Sequence, residues 1–256
     1  MKILNFLILI LLFVSNNSFI ISYKRTFNNN LKKISVLEPK NIRSNDTECI
    51  IFFTGGNSFI LPDIYSNFLK SLVNKNISIY IPPFNYKNMN DLIELLCNEY
   101  KKVTMMGHSS GCSMLLNNCK SKNIKDIILL DPVNTRIINK KKYDISNIKN
   151  VYFLNADKSY RVSFDPFGLP FIPFLKITKN KLFFKKNKCN FFFTDAFNYG
   201  HSDILNKRWS DFMHNIRLSV GNSNRTIEKS IQYHNKLANN INFFIREQYK
   251  KISSFI

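Results

Sequence analysis

"VTMMGHSSGCSM", residues 103–114, decides how this chain is read. A short apolar run ends in Gly107-His108-Ser109-Ser110-Gly111, which fits G-x-S-x-G. Glycines at that spacing let a strand double back into a helix and push the central serine out at the apex. A plain glycine turn with an incidental serine gives the same five residues. The flanking chain has to separate the two readings.

Outward from the turn, β-rich runs alternate with helical patterns. "CIIFFTGG" (49–56) predicts a buried strand ending in a glycine turn, and "PDIYSNFLKSLVNKN" (62–76) a helix with Pro62 in its first turn. "ISIYIPPFN" is a strand stopped by two prolines, and "MNDLIELLCNEYKK" an amphipathic helix with Asn90 as its cap. The strand "VTMMG" leads to the serine turn and a helix through "CSMLLNNCK". "KDIILLDP", "NVYFLNAD" and "CNFFFTDA" supply three more strands, and a long helix closes the chain over "RTIEKSIQYHNKLANNINFFIREQYKK". This alternation predicts an α/β fold, a mostly parallel central sheet with helices on both faces. Chemistry in such sheets sits at the carboxyl ends of the strands. Ser109, Asp131, Asp157 and His201 all fall just past a predicted strand end.

A serine hydroxyl needs a base to become a useful nucleophile, and the base needs a carboxylate to orient it. Of the four histidines, His108 lies within the turn, and its place there points it away from the neighbouring hydroxyl. His214 and His234 fall in helical patterns that suit a surface or interface role. His201, in "NYGHSDIL", sits in a loop after a late strand and is the expected base. The order Ser, Asp, His is that of α/β hydrolases. Two acids compete on residue logic alone: Asp131, ending "IILLDP", and Asp157, ending "YFLNAD". Acyl transfer also requires amide donors for an oxyanion. The expected pair is Ser110, next after the nucleophile, and Gly56, in the glycine turn "FFTGGNS".

At 256 residues the chain suits one domain, expected over 45–256. Hydrophobic residues at 45% and charged residues at 21% mark it as globular. The formal net charge of +20 comes from lysines scattered in short groups such as Lys140-Lys141-Lys142, with no nucleic-acid-binding motif, so nucleic acid is not an expected partner. Five cysteines form no CxxC pair, so no metal is expected, and the serine chemistry needs no organic cofactor. Residues 1–18 have the layout of a secretory signal peptide: Lys2, an apolar run from Ile3 to Val14, then small and polar residues. Residues 19–44 are basic and rich in Asn, and read as an N-terminal extension or the second part of a two-part plastid leader. The expected route is secretory entry, onward to a plastid or to secretion or an endomembrane lumen. Between the last two strands, "SFDPFGLPFIPFLK" (163–176) is apolar and carries three prolines. It reads as a lid within 160–180, with Phe164, Phe167, Leu169 and Phe171 against a hydrophobic ester substrate or a membrane surface, or as a loop packed on the core. Oligomeric state is not legible.

These stretches together resemble the chlorophyllase family of α/β hydrolases. That family shows a strand ending in a His-Gly turn, an elbow reading Gly-His-Ser-Arg-Gly-Gly, a strand ending in Asp-Pro-Val, and a late Tyr-Gly-His-x-Asp-x-Leu. Here they read "IFFTGGNSFILPDIYSNFLKSL", "GHSSGC", "LLDPV" and "YGHSDIL", in the same order over about residues 48–247. The resemblance implies the α/β-hydrolase fold and a Ser-His-Asp carboxylesterase acting on a chlorophyll-type ester, with Asp131 as the acid. The chain departs at Ser110 for the family's arginine, Cys112 for its glycine and Thr54-Gly55 for its His-Gly. A lipase, a short-chain carboxylesterase and a non-catalytic lipid or pigment carrier share the same fold.

Overall fold

The computed structural model describes residues 34–39, 47–58, 60–83, 86–134, 143–161, 175–176, 188–215, 221–222 and 224–253. The chain opens with strand β1 (Ser35–Leu37) and strand β2 (Glu48–Phe53), then a single helical turn, α1 (Gly55–Ser58). A 3₁₀ turn over Pro62–Tyr65 runs into helix α2 (Ser66–Val73), followed by β3 (Ile77–Ile81). Helix α3 (Met89–Glu99), strand β4 (Lys102–His108), helix α4 (Gly111–Asn118) and strand β5 (Asp126–Leu130) come next. After the two-residue β6 (Val133–Asn134) come β7 (Asn150–Ala156), β8 (Leu175–Lys176) and β9 (Asn190–Ala196). Helices α5 (Lys207–Asn215) and α6 (Ile227–Ile245) complete the described elements.

Seven strands form one sheet in the order β1-β3-β2-β4-β5-β7-β9. All neighbours are parallel except β1, which pairs with β3 antiparallel. The reversal of strand order at β2 is what parallel pairing through crossover helices produces. β2 shows why its run is apolar throughout. Cys49, Ile51 and Phe53 join the cluster holding Leu92, Ile93 and Leu96 of α3 and Leu115 and Leu116 of α4. Ile50 and Phe52 join the opposite cluster, with Phe68, Leu69 and Leu72 of α2 and Leu237, Ile241 and Phe244 of α6. Burial on both faces removes any alternation with polar residues. The expected fold class is therefore the observed one.

Three boundaries differ from the expectations. Helix α3 starts after Asn88, and Asn90 lies inside it, because Met89 is already buried and helical. Ser35–Leu37 pairs with Ile79–Ile81, so the sheet begins within the stretch assigned to the N-terminal extension. Ile34 and Val36 are buried there, and a strand of three residues is too short for its periodicity to show against a basic, Asn-rich background. Within 160–180, Leu175–Lys176 forms β8 and pairs antiparallel with β6, just past Asp131 and Pro132. Phe164, Phe167, Leu169 and Phe171 lie outside the described residues, as do the leader 1–18 and 19–33 of the extension.

Candidate active site

Strand β4 ends at His108, and Ser109 turns the chain into α4 with a φ of 56°. That left-handed conformation costs a non-glycine residue about 1–2 kcal/mol, so the surrounding bonds have to hold it. They do so on both sides. Ser109 donates its amide to the Leu130 carbonyl at 3.0 Å, and its own carbonyl accepts from the Cys112 and Val133 amides at 3.1 and 3.2 Å. The flanking glycines are required by close approach. A Cβ on Gly107 would stand 2.8 Å from Cys112 backbone atoms, and one on Gly111 would stand 2.5 Å from the Thr54 carbonyl oxygen.

Three predicted side chains meet here. His201 opens a 3₁₀ turn, His201–Ile204, after β9, and its Nε2 lies 2.7 Å from Ser109 Oγ. Its Nδ1 lies 2.6 Å from Asp131 Oδ2. Asp131 follows β5 with a φ of 43°, and its amide donates to the Leu154 carbonyl at 2.8 Å. The other carboxylate oxygen, Oδ1, accepts from the Ser159 hydroxyl at 2.9 Å and the Ala156 amide at 3.2 Å. Both carboxylate oxygens are thus engaged, which fixes the plane that meets the imidazole. Asp157 opens the next 3₁₀ turn and is exposed. Strand order explains the difference: β5 adjoins β4, whereas β7 lies one strand further out. The two expected oxyanion donors also converge on this end of the sheet. Ser110 is the residue from which α4 springs, and Gly56, at a φ of 59°, is in the first turn of α1, whose amides have no intrahelical acceptor.

No protein-family model and no curated protein matches the chain. Solved structures do. A sugar hydrolase (YeeB) from Lactococcus lactis superposes with a TM-score of 0.53 at 13% identity, over 90% of this chain and 100% of that one. An S-formylglutathione hydrolase from Agrobacterium tumefaciens gives 0.50 at 10% identity, over 91% and 98%. The chain has the α/β-hydrolase fold. In this hydrolase fold the elbow after β4, the acid after β5 and the histidine after β9 are all at the carboxyl edge of the sheet.

Behind His201 lies a buried polar cluster that the sequence did not announce. Asp203, fully buried, accepts from the Gly200 amide at 2.7 Å, the Asn222 amide at 2.9 Å and the Ser210 hydroxyl at 2.9 Å. Arg225 pairs with the same carboxylate at 3.2 Å, donates to the Asp203 carbonyl at 3.1 Å, and stands 5.6 Å from the ring centres of Tyr199 and Tyr233. Gly221 fits only without a Cβ, which would fall 2.8 Å from Ser202 Oγ and 3.0 Å from the Asp203 carboxylate. His234 is part of this cluster and is buried, which corrects the surface role expected of it. Its ring packs against Phe68 and Tyr233, and Nε2 donates to the Asp203 carbonyl at 3.1 Å. The helical period around His234 was legible, but not that α6 turns this face inward. His214 is in α5 and half-buried.

Two buried histidines give the protein an acid limit. Burial, reinforced by the neighbouring His201, pushes the His108 imidazole down to about 3, and burial with the Arg225 charge pushes His234 down to about 4. In the unfolded chain both titrate near 6.5. Between those values the unfolded state binds protons that the folded state refuses, so stability is full above pH 6.5 and falls as the pH drops. Each histidine contributes a slope of about 1.4 kcal/mol per pH unit in its window. Urea denaturation at pH 7, 6 and 5 should show the loss, and His234→Gln should flatten the dependence by one histidine's share. Identical slopes in the two proteins would exclude His234 as a source.

Proposed function

We propose that the chain is a serine esterase acting on hydrophobic carboxylic esters. The observation that carries this reading is the unbroken line from Asp131 Oδ2 through the His201 ring to Ser109 Oγ, at 2.6 and 2.7 Å, on a strained elbow. The carboxylate accepts from His201 Nδ1–H, which leaves Nε2 bare and facing the serine hydroxyl. Ser109 Oγ attacks the ester carbonyl carbon while Nε2 takes the hydroxyl proton. The amides of Gly56 and Ser110 hold the oxyanion that develops. As the tetrahedral intermediate collapses, the C–O bond to the alcohol breaks and His201 returns the proton to the leaving oxygen. Water, deprotonated by the same Nε2, then cleaves the acyl-serine and restores the resting site. Every step uses groups of the chain and water alone.

For the substrate, the resemblance of "GHSSGC", "LLDPV" and "YGHSDIL" to chlorophyllases supports chlorophyll a, with release of phytol. The departures at Ser110 and Cys112 lie beside the nucleophile, where they bear on which ester is accepted.

A fluorophosphonate probe tests the reading in one step, because it phosphonylates only a serine activated by a base. Stoichiometric labelling, mapped to Ser109 by peptide mass, is the expected result. Parallel assays on chlorophyll a and a p-nitrophenyl ester series then sort the substrate. Chlorophyllide release supports the pigment ester, activity on the simple esters alone supports a carboxylesterase or lipase, and absence of labelling leaves a carrier with this fold.

A further inference from the structure

His108 and Tyr65 are buried beneath Ser109, and neither has a part in the chemistry proposed above. Their contacts fix a direction of hydrogen bonding without ambiguity. His108 Nε2 lies 3.1 Å from the His201 carbonyl oxygen, which can only accept, so Nε2 carries the ring proton. Nδ1 is then a bare acceptor. It lies 2.8 Å from the Tyr65 hydroxyl, which must donate to it. With its proton so committed, the Tyr65 oxygen accepts the Gly55 amide at 2.9 Å. Burial, with the neighbouring His201 adding to it, keeps the His108 ring neutral down to about pH 3, so this direction holds throughout the working range.

We propose that Tyr65 and His108 are positioning residues that lock the oxyanion turn to the catalytic histidine. The chain of contacts runs Gly55 N–H to Tyr65 O–H to His108 to the His201 carbonyl. Gly55 is bonded to Gly56, whose amide is the oxyanion donor proposed above, so one end of the strut sets that donor. The other end holds the main chain of His201 from below, while Asp203 holds the Gly200 amide on the other side. The two ends belong to parts of the chain that share no strand pairing, and the strut passes under the nucleophile between them. Packing supports the fit. A Cβ on Gly55 would stand 3.1 Å from Tyr65 Oη and 3.3 Å from His108 Nδ1, so glycine is what lets the strut close. The Tyr65 ring meets Phe52 edge-on at 5.2 Å, and the His108 ring lies 4.9 Å from that of His201.

This role rests on the esterase reading, and three substitutions separate its two halves. Tyr65→Phe removes the hydroxyl alone. His108→Asn keeps an acceptor for Tyr65 near Nδ1 but loses the donor to His201, whereas His108→Gln keeps a donor near Nε2 but loses the acceptor for Tyr65. On a p-nitrophenyl ester, Tyr65→Phe and His108→Asn should each lower kcat by about 10- to 100-fold, with KM changed less than about twofold, the signature of misplaced groups. His108→Gln, which strands the Tyr65 hydroxyl, should lose kcat to a similar extent, because the strut opens when either link is broken. A wild-type kcat in either His108 variant, or no loss in Tyr65→Phe, would overturn the proposal. Amide hydrogen exchange at Gly55 needs no turnover: it should quicken about tenfold or more in Tyr65→Phe, and unchanged exchange would overturn the strut whether or not Ser109 reacts. A wild-type protein inert to the fluorophosphonate, with Gly55 exchange still quickened in Tyr65→Phe, would instead sink the esterase reading.

Discussion

Ser109→Ala and Ser109→Gly should both lose about 10⁶-fold in ester turnover, and the glycine variant should be the more stable of the two by about 1 kcal/mol. The first half follows from the site. Without Oγ there is no nucleophile for His201 Nε2 to activate, and the oxyanion donors retain only what water attack can use. The second half follows from the backbone. Ser109 sits at a φ of 56°, where any Cβ crowds the following carbonyl, and both variants lack the hydroxyl, so their difference isolates that crowding. Glycine's greater freedom in the unfolded chain works against it but is the smaller effect at a left-handed position. Urea denaturation of the pair reads the difference directly. An alanine variant as stable as the glycine variant would mean that the elbow stores no strain.

Asp131→Asn should lower kcat by about 10⁴-fold, while Asp157→Asn leaves it within about twofold. An amide at 131 still accepts or donates, and asparagine tolerates the 43° φ at this position, so the turn survives. What it cannot do is accept from Nδ1–H while stabilising a positive ring. The amide nitrogen instead favours the tautomer whose proton points at Ser109, and the base is lost. Asp157, exposed at the head of its 3₁₀ turn, has no such task. Steady-state kinetics on one ester with both variants decides the acid, and a crippling Asp157→Asn would reverse the assignment. Circular dichroism on Asp131→Asn guards against a trivial unfolding effect, since Ser159 and the Ala156 amide also depend on that carboxylate.

What the sequence revealed and what it hid divide along a physical line. Strands buried on both faces, such as Ile50–Phe53, announce themselves by unbroken apolar runs, and the glycine pair around Ser109 announces a turn that steric exclusion enforces. The alternation of these features was sufficient for the fold class and for placing Ser109, Asp131 and His201 at one edge. Residue logic left Asp131 and Asp157 open and the resemblance of "LLDPV" implied Asp131; the physical reason is strand order, a property of pairing and not of any local run. Ser159, Tyr65 and Arg225 were missed because each acts through contacts with residues outside its own periodic pattern, and nothing in the local sequence marks them. The β6–β8 pair was missed for its length, two residues a side.

The hydrogen bonds from the Ser109 amide to Leu130 and from the Asp131 amide to Leu154 continue the β4-β5-β7 ladder past the strand ends. Nucleophile and acid are therefore indexed to each other by counting along neighbouring strands. A slip of one residue between β4 and β5 would carry Asp131 about 3.3 Å along and turn its side chain to the opposite face of the sheet. The lengths of these three strands are, in heredity, frame-locked: a codon gained or lost within one of them silences the site even where the sheet still forms. Past the residues that hold the site, such as Val133 and Ser159, the connections between them carry no such count.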